Sequence, residues 1–231
     1  MKEALFYKKL EQNDKVQCFL CPHNCVISLD RAGFCGVRKN IGGKLYSLVY
    51  EKVSSAAVDP IEKKPLFHFK PATLVFSIGT LGCNMHCGHC QNWNISHVVL
   101  AESPKDAKLY QVSVENPTEY LSPEQAVELA IKYDCDSIAW TYNEPTIWFE
   151  YTLDTAKLAK AKGLRTIYVT NGYINLEPLD MIGPYLDAYR VDIKAFNKEA
   201  YKKLSKIPDF QPVLEAIIRA KTKWNMHIEV V

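Results

Sequence analysis

Long hydrophobic runs are missing from this sequence of 231 residues. No apolar stretch approaches the roughly 18 residues that a membrane-spanning helix needs. Charged residues interrupt the apolar ones over residues 1–9, so this segment lacks the core of a signal peptide. With 10 glycines and 48% hydrophobic residues, the composition also lies far from disordered, collagen-like and coiled-coil sequences. We therefore expect a folded cytoplasmic protein that has no membrane partner.

A strong charge of either sign is missing too. Lys and Arg total 28 against 26 Asp and Glu, for a net charge of +2. The nearest approach to a basic patch is formed by Lys198, Lys202, Lys203 and Lys206. Their spacing favours the solvated face of a helix over a phosphate-binding patch. We expect no nucleic-acid partner.

Cysteine, in contrast, is plentiful, and seven of the eight cysteines fall into two groups. The first group is Cys18, Cys21, Cys25 and Cys35, the second is Cys83, Cys87 and Cys90, and Cys135 stands alone. In a reducing compartment, clustered cysteines indicate metal binding or catalysis more often than disulfides.

Short apolar runs alternate with helical stretches from Thr73 onward. The predicted strands cover residues 74–78, 137–141, 166–170, 189–193 and 228–231. The predicted helices follow the capping box at 122–125, run over 147–162 before Gly163, and cover 212–224. This alternation predicts a parallel sheet that is covered on both faces.

Five strands are too few for a complete eight-unit barrel, so the sequence predicts an α/β fold of the partial (βα) barrel type. We expect a small cysteine-rich segment at residues 1–70 and the α/β core at residues 71–231. The sequence ends within an apolar strand, which would leave an unpaired sheet edge. We therefore expect the C-terminal strands to be truncated.

The second cysteine group forms a C-x3-C-x2-C loop directly after the first predicted strand. Reactive groups of βα folds lie at the carboxyl ends of the strands. Cysteine thiolates hold iron–sulfur clusters, and three of them leave one iron of a 4Fe-4S cluster open. Cys83, Cys87 and Cys90 are therefore candidate cluster ligands, although half of a zinc site fits the spacing as well.

This loop resembles the signature of the radical S-adenosylmethionine (SAM) superfamily, in its branch with pyruvate formate-lyase activating enzyme. The later strands end in Tyr-Asn-Glu-Pro at 142–145, Thr-Asn-Gly at 170–172 and Asp-Ile-Lys at 192–194, which resemble motifs of that branch. The resemblance implies that SAM is bound by Asn143, Glu144, Asn171, Asp192 and Lys194. It also implies reductive cleavage of SAM to a 5′-deoxyadenosyl radical that abstracts hydrogen.

Several of these residues have simpler alternative roles. Glu144 could cap the helix that begins near Thr146, and Asp192 could pair with Lys194 or Arg165. His86 and His89 either add metal ligands or shape the loop. Cys135 is interpreted as a bystander. The segment at 97–120 has no clear periodicity and is either a lid over the cavity or a surface segment without function.

The first cysteine group adds a narrower resemblance. Cys-x-Leu-Cys-Pro-His-x-Cys at 18–25, with Gly-x-Cys-x-Val-Arg at 33–38, is similar to AmmeMemoRadiSam system radical SAM enzymes, and so is Cys-Gln-Asn-Trp-x-Ile-Ser at 90–96. Four thiolates suit a structural zinc ion, an auxiliary cluster or no metal at all, with zinc preferred.

These resemblances imply an enzyme similar to those that activate glycyl radical enzymes. Such an enzyme needs an electron donor such as flavodoxin or ferredoxin, and its substrate could be a protein. The alternative is an iron–sulfur or zinc protein that transfers electrons or acts as a scaffold without SAM chemistry.

Overall fold

The computed structural model describes residues 1–11, 14–98 and 118–231. The segment at 97–120 therefore lies mostly outside the described residues, and its two interpretations stay open. The strands are β1 (Lys2–Glu3), β2 (Tyr7–Lys9), β3 (Val16–Cys18), β4 (Val26–Ile27), β5 (Arg38–Ile41), β6 (Lys44–Ser47), β7 (Lys52–Val53), β8 (Ser55–Pro60), β9 (Leu74–Gly79), β10 (Glu119–Tyr120), β11 (Ser137–Trp140), β12 (Arg165–Thr170), β13 (Ala188–Val191) and β14 (His227–Val230). The α-helices are α1 (Trp93–Ser96), α2 (Pro123–Lys132), α3 (Phe149–Ala161), α4 (Leu176–Ile182), α5 (Lys198–Ser205) and α6 (Gln211–Trp224).

A six-stranded sheet forms the centre of the fold, in the order β14-β13-β12-β11-β9-β8. The five strands from β9 to β14 in this sheet are parallel and include all five strands predicted from the sequence. The α/β class with a parallel sheet is therefore confirmed. The sheet is open, with β8 and β14 at its edges within the described residues.

The edge strand β8 joins the sheet from within residues 1–70, which the sequence analysis treated as a separate segment. It runs antiparallel to β9 over six residue pairs, from Ser55 opposite Gly79 to Pro60 opposite Leu74. Its residues alternate between exposed and partly exposed positions, and only Asp59 is buried. No buried apolar run marks this strand, so the sequence did not predict it.

The predicted helix boundaries follow local rules. Gln125 donates its backbone N–H to Ser122 Oγ at 3.2 Å, and Ser122 returns a backbone N–H to Gln125 Oε1 at 2.9 Å, so the capping box is confirmed. The predicted helix at 147–162 is a 3-10 turn, Pro145–Trp148, followed by α3. Gly163 ends it at φ +80°, a conformation that glycine adopts without steric cost.

The connection at residues 61–73, which we call the crossing segment, spans one face of the sheet from β8 to β14. Its Ile61 and Leu66 pack against apolar side chains of four strands, namely Val75, Ala139, Ile167 and Ala188. At the far edge Glu229 of β14 accepts backbone N–H groups from Phe67 at 3.0 Å and His68 at 2.9 Å. The crossing segment thus covers this face of the sheet at the amino-terminal half of the strands.

The other face packs against the helices, with Trp140, Tyr168 and Tyr189 fully buried there. The N-terminal region joins the same core through an ion pair in which both side chains are 2% exposed. Arg38 of β5 donates to Glu150 of α3 at 2.7 and 2.8 Å. Two bonds in parallel suit the planar guanidinium and fix the orientation of the two elements. Among the described residues, no helix is both long and apolar enough to cross a membrane.

Candidate active site

The loop with Cys83, Cys87 and Cys90 leaves the sheet at the carboxyl end of β9. Its first residue, Gly82, has φ +93°, and a Cβ atom there would lie 2.6 Å from Val37 Cγ1 and 2.8 Å from the Cys35 carbonyl oxygen. Only glycine combines this conformation with so close an approach. The loop therefore packs directly against the N-terminal cysteine region.

All three cysteines line one cavity of about 640 Å³ at the carboxyl ends of the strands. Cys83 and Cys87 are each 9% exposed. Cys83 Sγ accepts the Met85 backbone N–H at 3.3 Å and an Asn171 side-chain N–H at 3.7 Å. Burial raises the pKa of Cys83 well above its ordinary value, and the nearby Glu144 adds to this shift. The donors around Cys83 Sγ are of the kind that tune cluster sulfurs.

In the described ranges, no three His, Cys, Asp or Glu side chains meet closely enough to hold a single metal ion. A 4Fe-4S cluster does not require such a meeting point, because each of its cysteines binds a different iron. The three thiols share the wall of a cavity much larger than one ion. This donor set fits a cluster better than half of a zinc site.

The five residues predicted to contact SAM line the same cavity as the three cysteines. They reach it from the ends of three neighbouring strands. Asn143 and Glu144 follow β11, Asn171 follows β12, and Asp192 and Lys194 follow β13. The structure thus brings together all eight site residues that were predicted from the sequence. Their hydrogen bonds and ion pairs within the protein differ from one residue to the next.

Asn143 holds the start of the cysteine loop. Its Oδ1 accepts the Thr80 backbone N–H at 3.1 Å, and its Nδ2 donates to the Gly82 carbonyl at 2.8 Å. Both ends of the side-chain amide are therefore engaged by the backbone on the amino-terminal side of Cys83. Its predicted contact with SAM stays a prediction.

Glu144 is 1% exposed, and both carboxylate oxygens accept hydrogen bonds. Oε1 accepts the Thr146 backbone N–H at 2.9 Å and the Thr170 hydroxyl at 2.7 Å, and Oε2 accepts the Asn171 backbone N–H at 2.8 Å. The capping role considered from the sequence is thus present. Burial raises the pKa of Glu144, while these three donors act to lower it.

Asn171 ties the end of β12 to the cysteine loop. Its Nδ2 donates to Asn84 Oδ1 at 2.9 Å, and its Oδ1 accepts the Tyr173 backbone N–H at 2.9 Å. Asn84 in turn donates to the Tyr173 carbonyl at 2.7 Å. These bonds form a closed ring that holds the residue after Cys83 in one orientation.

Asp192 pairs with Lys194, at 3.1 Å from Nζ, and with Arg190. Pairing with Lys194 was one alternative considered from the sequence. The other, pairing with Arg165, is wrong, because Arg165 lies on β12 and contacts Asp187 at 3.1 Å. Arg190 was missed by the sequence analysis, although it alternates with Asp192 along the strand and so shares its face.

A second group was not predicted from the sequence: Lys63, Lys64 and Tyr142 line the cavity, and Asp59 joins them. Asp59 Oδ2 accepts from Lys64 Nζ at 2.6 Å and from the Tyr142 hydroxyl at 3.0 Å, and Asp59 Oδ1 lies 2.7 Å from Lys63 Nζ. Tyr142 adopts φ +71°, which is unusual for a residue with a large side chain. Burial and Asp59 raise the pKa of the Tyr142 phenol to about 12. Asp59 and its lysines come from β8 and the crossing segment, so no local pattern connects them with the cavity.

His86 is part of the cysteine loop and faces the N-terminal region rather than the cavity. Its ring stacks on Phe34 with centroids 4.3 Å apart, and Phe34 stacks on His23 at 4.2 Å. Burial lowers the pKa of His86 to about 4, with smaller contributions from His97 and His23. This placement favours the loop-shaping role. His89 is exposed and lines the cavity, so its two interpretations stay open.

The four N-terminal cysteines line a second, small cavity of about 20 Å³. This is the space of about one water molecule, so a multi-iron cluster would require the cysteines to move apart. Buried Arg38 lines the same cavity, and its Nε has no hydrogen-bond partner among the described residues. The zinc ion expected from the sequence stays a prediction. Cys135 lies in the turn between α2 and β11 and lines neither cavity.

Comparison with curated proteins gives two uncharacterized relatives, both from Methanocaldococcus jannaschii. MJ0808 is 46% identical over 230 residues, which is 100% of this chain and 63% of that protein. MJ0674 is 22% identical over 211 residues, which is 90% of this chain and 54% of that protein. The chain thus spans less than two thirds of the length of these relatives.

Among solved structures, QueE from Escherichia coli aligns with 78% of this chain and 93% of its own, at 9% identity and a TM-score of 0.39. That similarity is too low to bear on the fold or the function. The profile of the radical SAM superfamily matches residues 77–229, which run from within β9 into β14 and include the whole cysteine loop. The chain belongs to the radical SAM superfamily.

Proposed function

We propose that this chain is a radical SAM enzyme that holds a 4Fe-4S cluster on Cys83, Cys87 and Cys90 and binds SAM in the adjoining cavity. The observation that carries the proposal is the shared cavity, which collects three thiols and five polar residues from four strand ends. The order β9, β11, β12, β13 and β14, each beside the one before, supports a partial (βα) barrel. The finer resemblance supports an AmmeMemoRadiSam-type enzyme, similar to the activators of glycyl radical enzymes.

When bound, the cluster and SAM supply a 5′-deoxyadenosyl radical, which abstracts a hydrogen atom from the substrate. The chain's own residues orient these groups. Asn143 and Asn171 fix the two sides of the cysteine loop through the bonds to Gly82 and Asn84. Asp192 and Lys194 are the proposed contacts for the polar groups of SAM. Glu144 holds the ends of β11 and β12 together.

The electron for this chemistry must come from a donor, and the surface next to the cysteine loop supports a protein donor with negative charge. The C-terminal end of α5 accepts loop N–H groups, from Gly88 to the Leu204 carbonyl at 2.9 Å and from His86 to the Ser205 carbonyl at 3.3 Å. The same helix exposes Lys202 and Lys203. We propose that a flavodoxin or ferredoxin docks on this lysine face.

For the N-terminal cysteines we propose a structural zinc ion, which would need the thiols to move toward their common cavity, because no three of them lie close enough to hold one ion. The unpartnered Nε of Arg38 supports negative charge there, because four zinc-bound thiolates carry a net charge of −2. Cys21→Ala should abolish zinc binding, whereas Cys135→Ala, the matched control, should keep it. Retention of zinc in Cys21→Ala, or its absence from the wild-type protein, would overturn this proposal.

The proposed function is tested by anaerobic reconstitution with iron and sulfide, followed by addition of SAM and dithionite. The wild-type protein should hold about four irons in the cysteine loop and produce 5′-deoxyadenosine, measured by mass spectrometry. Cys87→Ala should lose the cluster absorption and the product, while Cys135→Ala should keep both. A wild-type protein with a full cluster that yields no 5′-deoxyadenosine would favour the electron-transfer or scaffold alternative.

A further inference from the structure

Two of the N-terminal cysteines lie opposite each other at the ends of neighbouring strands. β3 and β4 pair antiparallel, with Gln17 opposite Val26. The next pair in this register is Cys18 and Cys25. Cys18 donates its backbone N–H to the Cys25 carbonyl at 2.9 Å, so the two chains are still hydrogen-bonded where the cysteines meet.

This pairing fixes how far apart the two thiols can be. In an antiparallel pair, the Cα atoms of residues in a hydrogen-bonded position lie about 5.5 Å apart, and the two side chains stand on the same face. Disulfides join residues whose Cα atoms are about 4.4–6.8 Å apart. Both thiols are free and line the same small cavity. A bond between them therefore requires rotation of the side chains and no movement of the strands.

The other two cysteines of this group have no such register. Cys21 and Cys35 line the same cavity, but they lie outside β3 and β4, so no strand pairing sets their distance from Cys18. Cys18 is 7% exposed, whereas Cys25 is partly exposed. A small oxidant from the solvent can therefore reach Cys25, and the thiol directly opposite it is that of Cys18.

We propose that Cys18 and Cys25 are an oxidation site, which forms a disulfide between β3 and β4 when the N-terminal cysteines hold no metal. The oxidant is a peroxide. One thiol attacks hydrogen peroxide to give a sulfenic acid and a water molecule, and the second thiol then attacks that sulfur, which forms the S–S bond and releases a second water. The two sulfurs lose two electrons, and the two peroxide oxygens gain them.

The disulfide closes a segment that supports the cysteine loop. His23 lies between Cys18 and Cys25, and its Nε2 is 2.8 Å from the Asn84 carbonyl oxygen, next to Cys83. A cross-link restricts the unfolded chain and so stabilises the folded one. The disulfide therefore keeps this support in place without a metal. Zinc would need the same thiols, so metal and disulfide exclude each other, and this exclusion alone rests on the proposed function.

The test uses the full chain, reduced, stripped of metal by a chelator and kept without iron. It is treated with an equimolar amount of hydrogen peroxide, the remaining thiols are alkylated, and the chain is digested with chymotrypsin, which can cut after Phe19, between the two cysteines. Mass spectrometry should find Cys18 joined to Cys25, with Cys21 and Cys35 alkylated. Alkylated Cys18 and Cys25 after this treatment, or Cys18 joined to another cysteine, would overturn the proposal.

Variants separate this bond from other oxidation of the chain. Peroxide should raise the melting temperature of the metal-free wild-type protein. Cys25→Ser should lose both this rise and the cross-link, whereas Cys135→Ser, the matched control, should keep both. A rise that persists in Cys25→Ser would overturn the stabilising role of the disulfide.

Addition of zinc before the peroxide tests the exclusion. Protein with bound zinc should form much less of the cross-link than metal-free protein. Equal cross-linking of the zinc-bound protein would overturn the exclusion. If the wild-type protein binds no zinc, the zinc proposal fails, while the mass spectrum of the metal-free protein still decides whether Cys18 and Cys25 form the disulfide.

Discussion

The Phe34 ring lies against the His86 ring, with centroids 4.3 Å apart and planes inclined by 23°. Phe34 belongs to the N-terminal cysteine region, and His86 belongs to the loop between the proposed cluster ligands Cys83 and Cys87. On its other side Phe34 stacks on His23, whose Nε2 lies 2.8 Å from the Asn84 carbonyl oxygen. The two cysteine groups, which are 48 residues apart from Cys35 to Cys83, therefore share one packed interface.

Replacing Phe34 with alanine should weaken this interface. The side chain is partly exposed, so we expect a loss of about 2 kcal/mol in the free energy of unfolding, less than for a fully buried phenylalanine. Because the cysteine loop loses its support, the iron content after reconstitution should also fall. Urea unfolding and iron analysis check the two effects. Phe67→Ala, at a side chain that is 56% exposed, is the control and should behave as wild type. A wild-type iron content in Phe34→Ala would contradict the prediction.

Asn143 offers a test of loop positioning, because aspartate replaces only the donor half of the amide and alanine removes both halves. Asn143→Asp keeps the acceptor for Thr80 N–H but removes the donor to the Gly82 carbonyl. We expect both Asn143→Asp and Asn143→Ala to lower cluster retention during gel filtration, because each lost bond leaves a buried partner unsatisfied at about 1–3 kcal/mol. Cluster absorption and bound iron provide the measurement. Normal cluster retention with a higher Kd for SAM would instead assign Asn143 to SAM binding.

Part of the site can be predicted from the sequence, namely the residues whose positions follow from local patterns and from the order of the strands. Cys83, Asn143, Asn171 and Asp192 each follow an apolar strand, and the carboxyl ends of parallel strands necessarily lie at one edge of the sheet. Their proximity therefore follows from the strand order.

The contacts among Asp59, Lys64 and Tyr142 could not be predicted from the sequence, for a physical reason. Asp59 and Lys64 come from β8 and the crossing segment, and their partner Tyr142 is 83 residues away from Asp59. Neither the periodicity of apolar residues nor the spacing of a motif predicts a contact between residues so far apart in the sequence. The hydrogen bonds that Asn143 and Glu144 make within the protein could not be predicted either. Whether such a side chain binds the protein or a ligand depends on distances that only the fold determines.

Glu229 should make the stability of the fold sensitive to acid. Burial acts to raise its pKa, but the N–H donors of Phe67 and His68, together with His227, outweigh burial and lower the pKa to about 2 from an ordinary value of 4.5. A carboxylate with a lowered pKa stabilises the folded state above its ordinary pKa, and this contribution is lost as the pH falls through the folded value.

The melting temperature of Glu229→Gln should therefore lie below that of wild type at pH 6, and the difference should shrink between about pH 4.5 and pH 2. Glu128→Gln, at an exposed position on α2, should track wild type throughout. Calorimetry in a series of buffers gives both curves. A constant difference over this range would show that the crossing segment does not depend on the Glu229 charge.

The lysine face of α5 leads to a kinetic prediction about electron supply. Charge reversal in the double variant Lys202→Glu, Lys203→Glu should slow cluster reduction by an acidic ferredoxin about tenfold or more at low ionic strength, because opposite charges steer the encounter of the two proteins. Reduction by dithionite should stay unchanged, since the variant leaves the α5 backbone bonds to Gly88 and His86 in place.

Stopped-flow absorption of the cluster would follow both reactions, with Lys132→Glu, Lys162→Glu as the control at exposed lysines at the C-terminal ends of α2 and α3. The effect should diminish as salt is added, because the Debye length shortens to about 8 Å at 0.15 M. Equal slowing by ferredoxin and dithionite would point to damage of the cysteine loop instead. A control variant as slow as the α5 variant would contradict docking on the α5 lysines, since the rate would then follow net charge rather than the position of the lysines beside the cysteine loop.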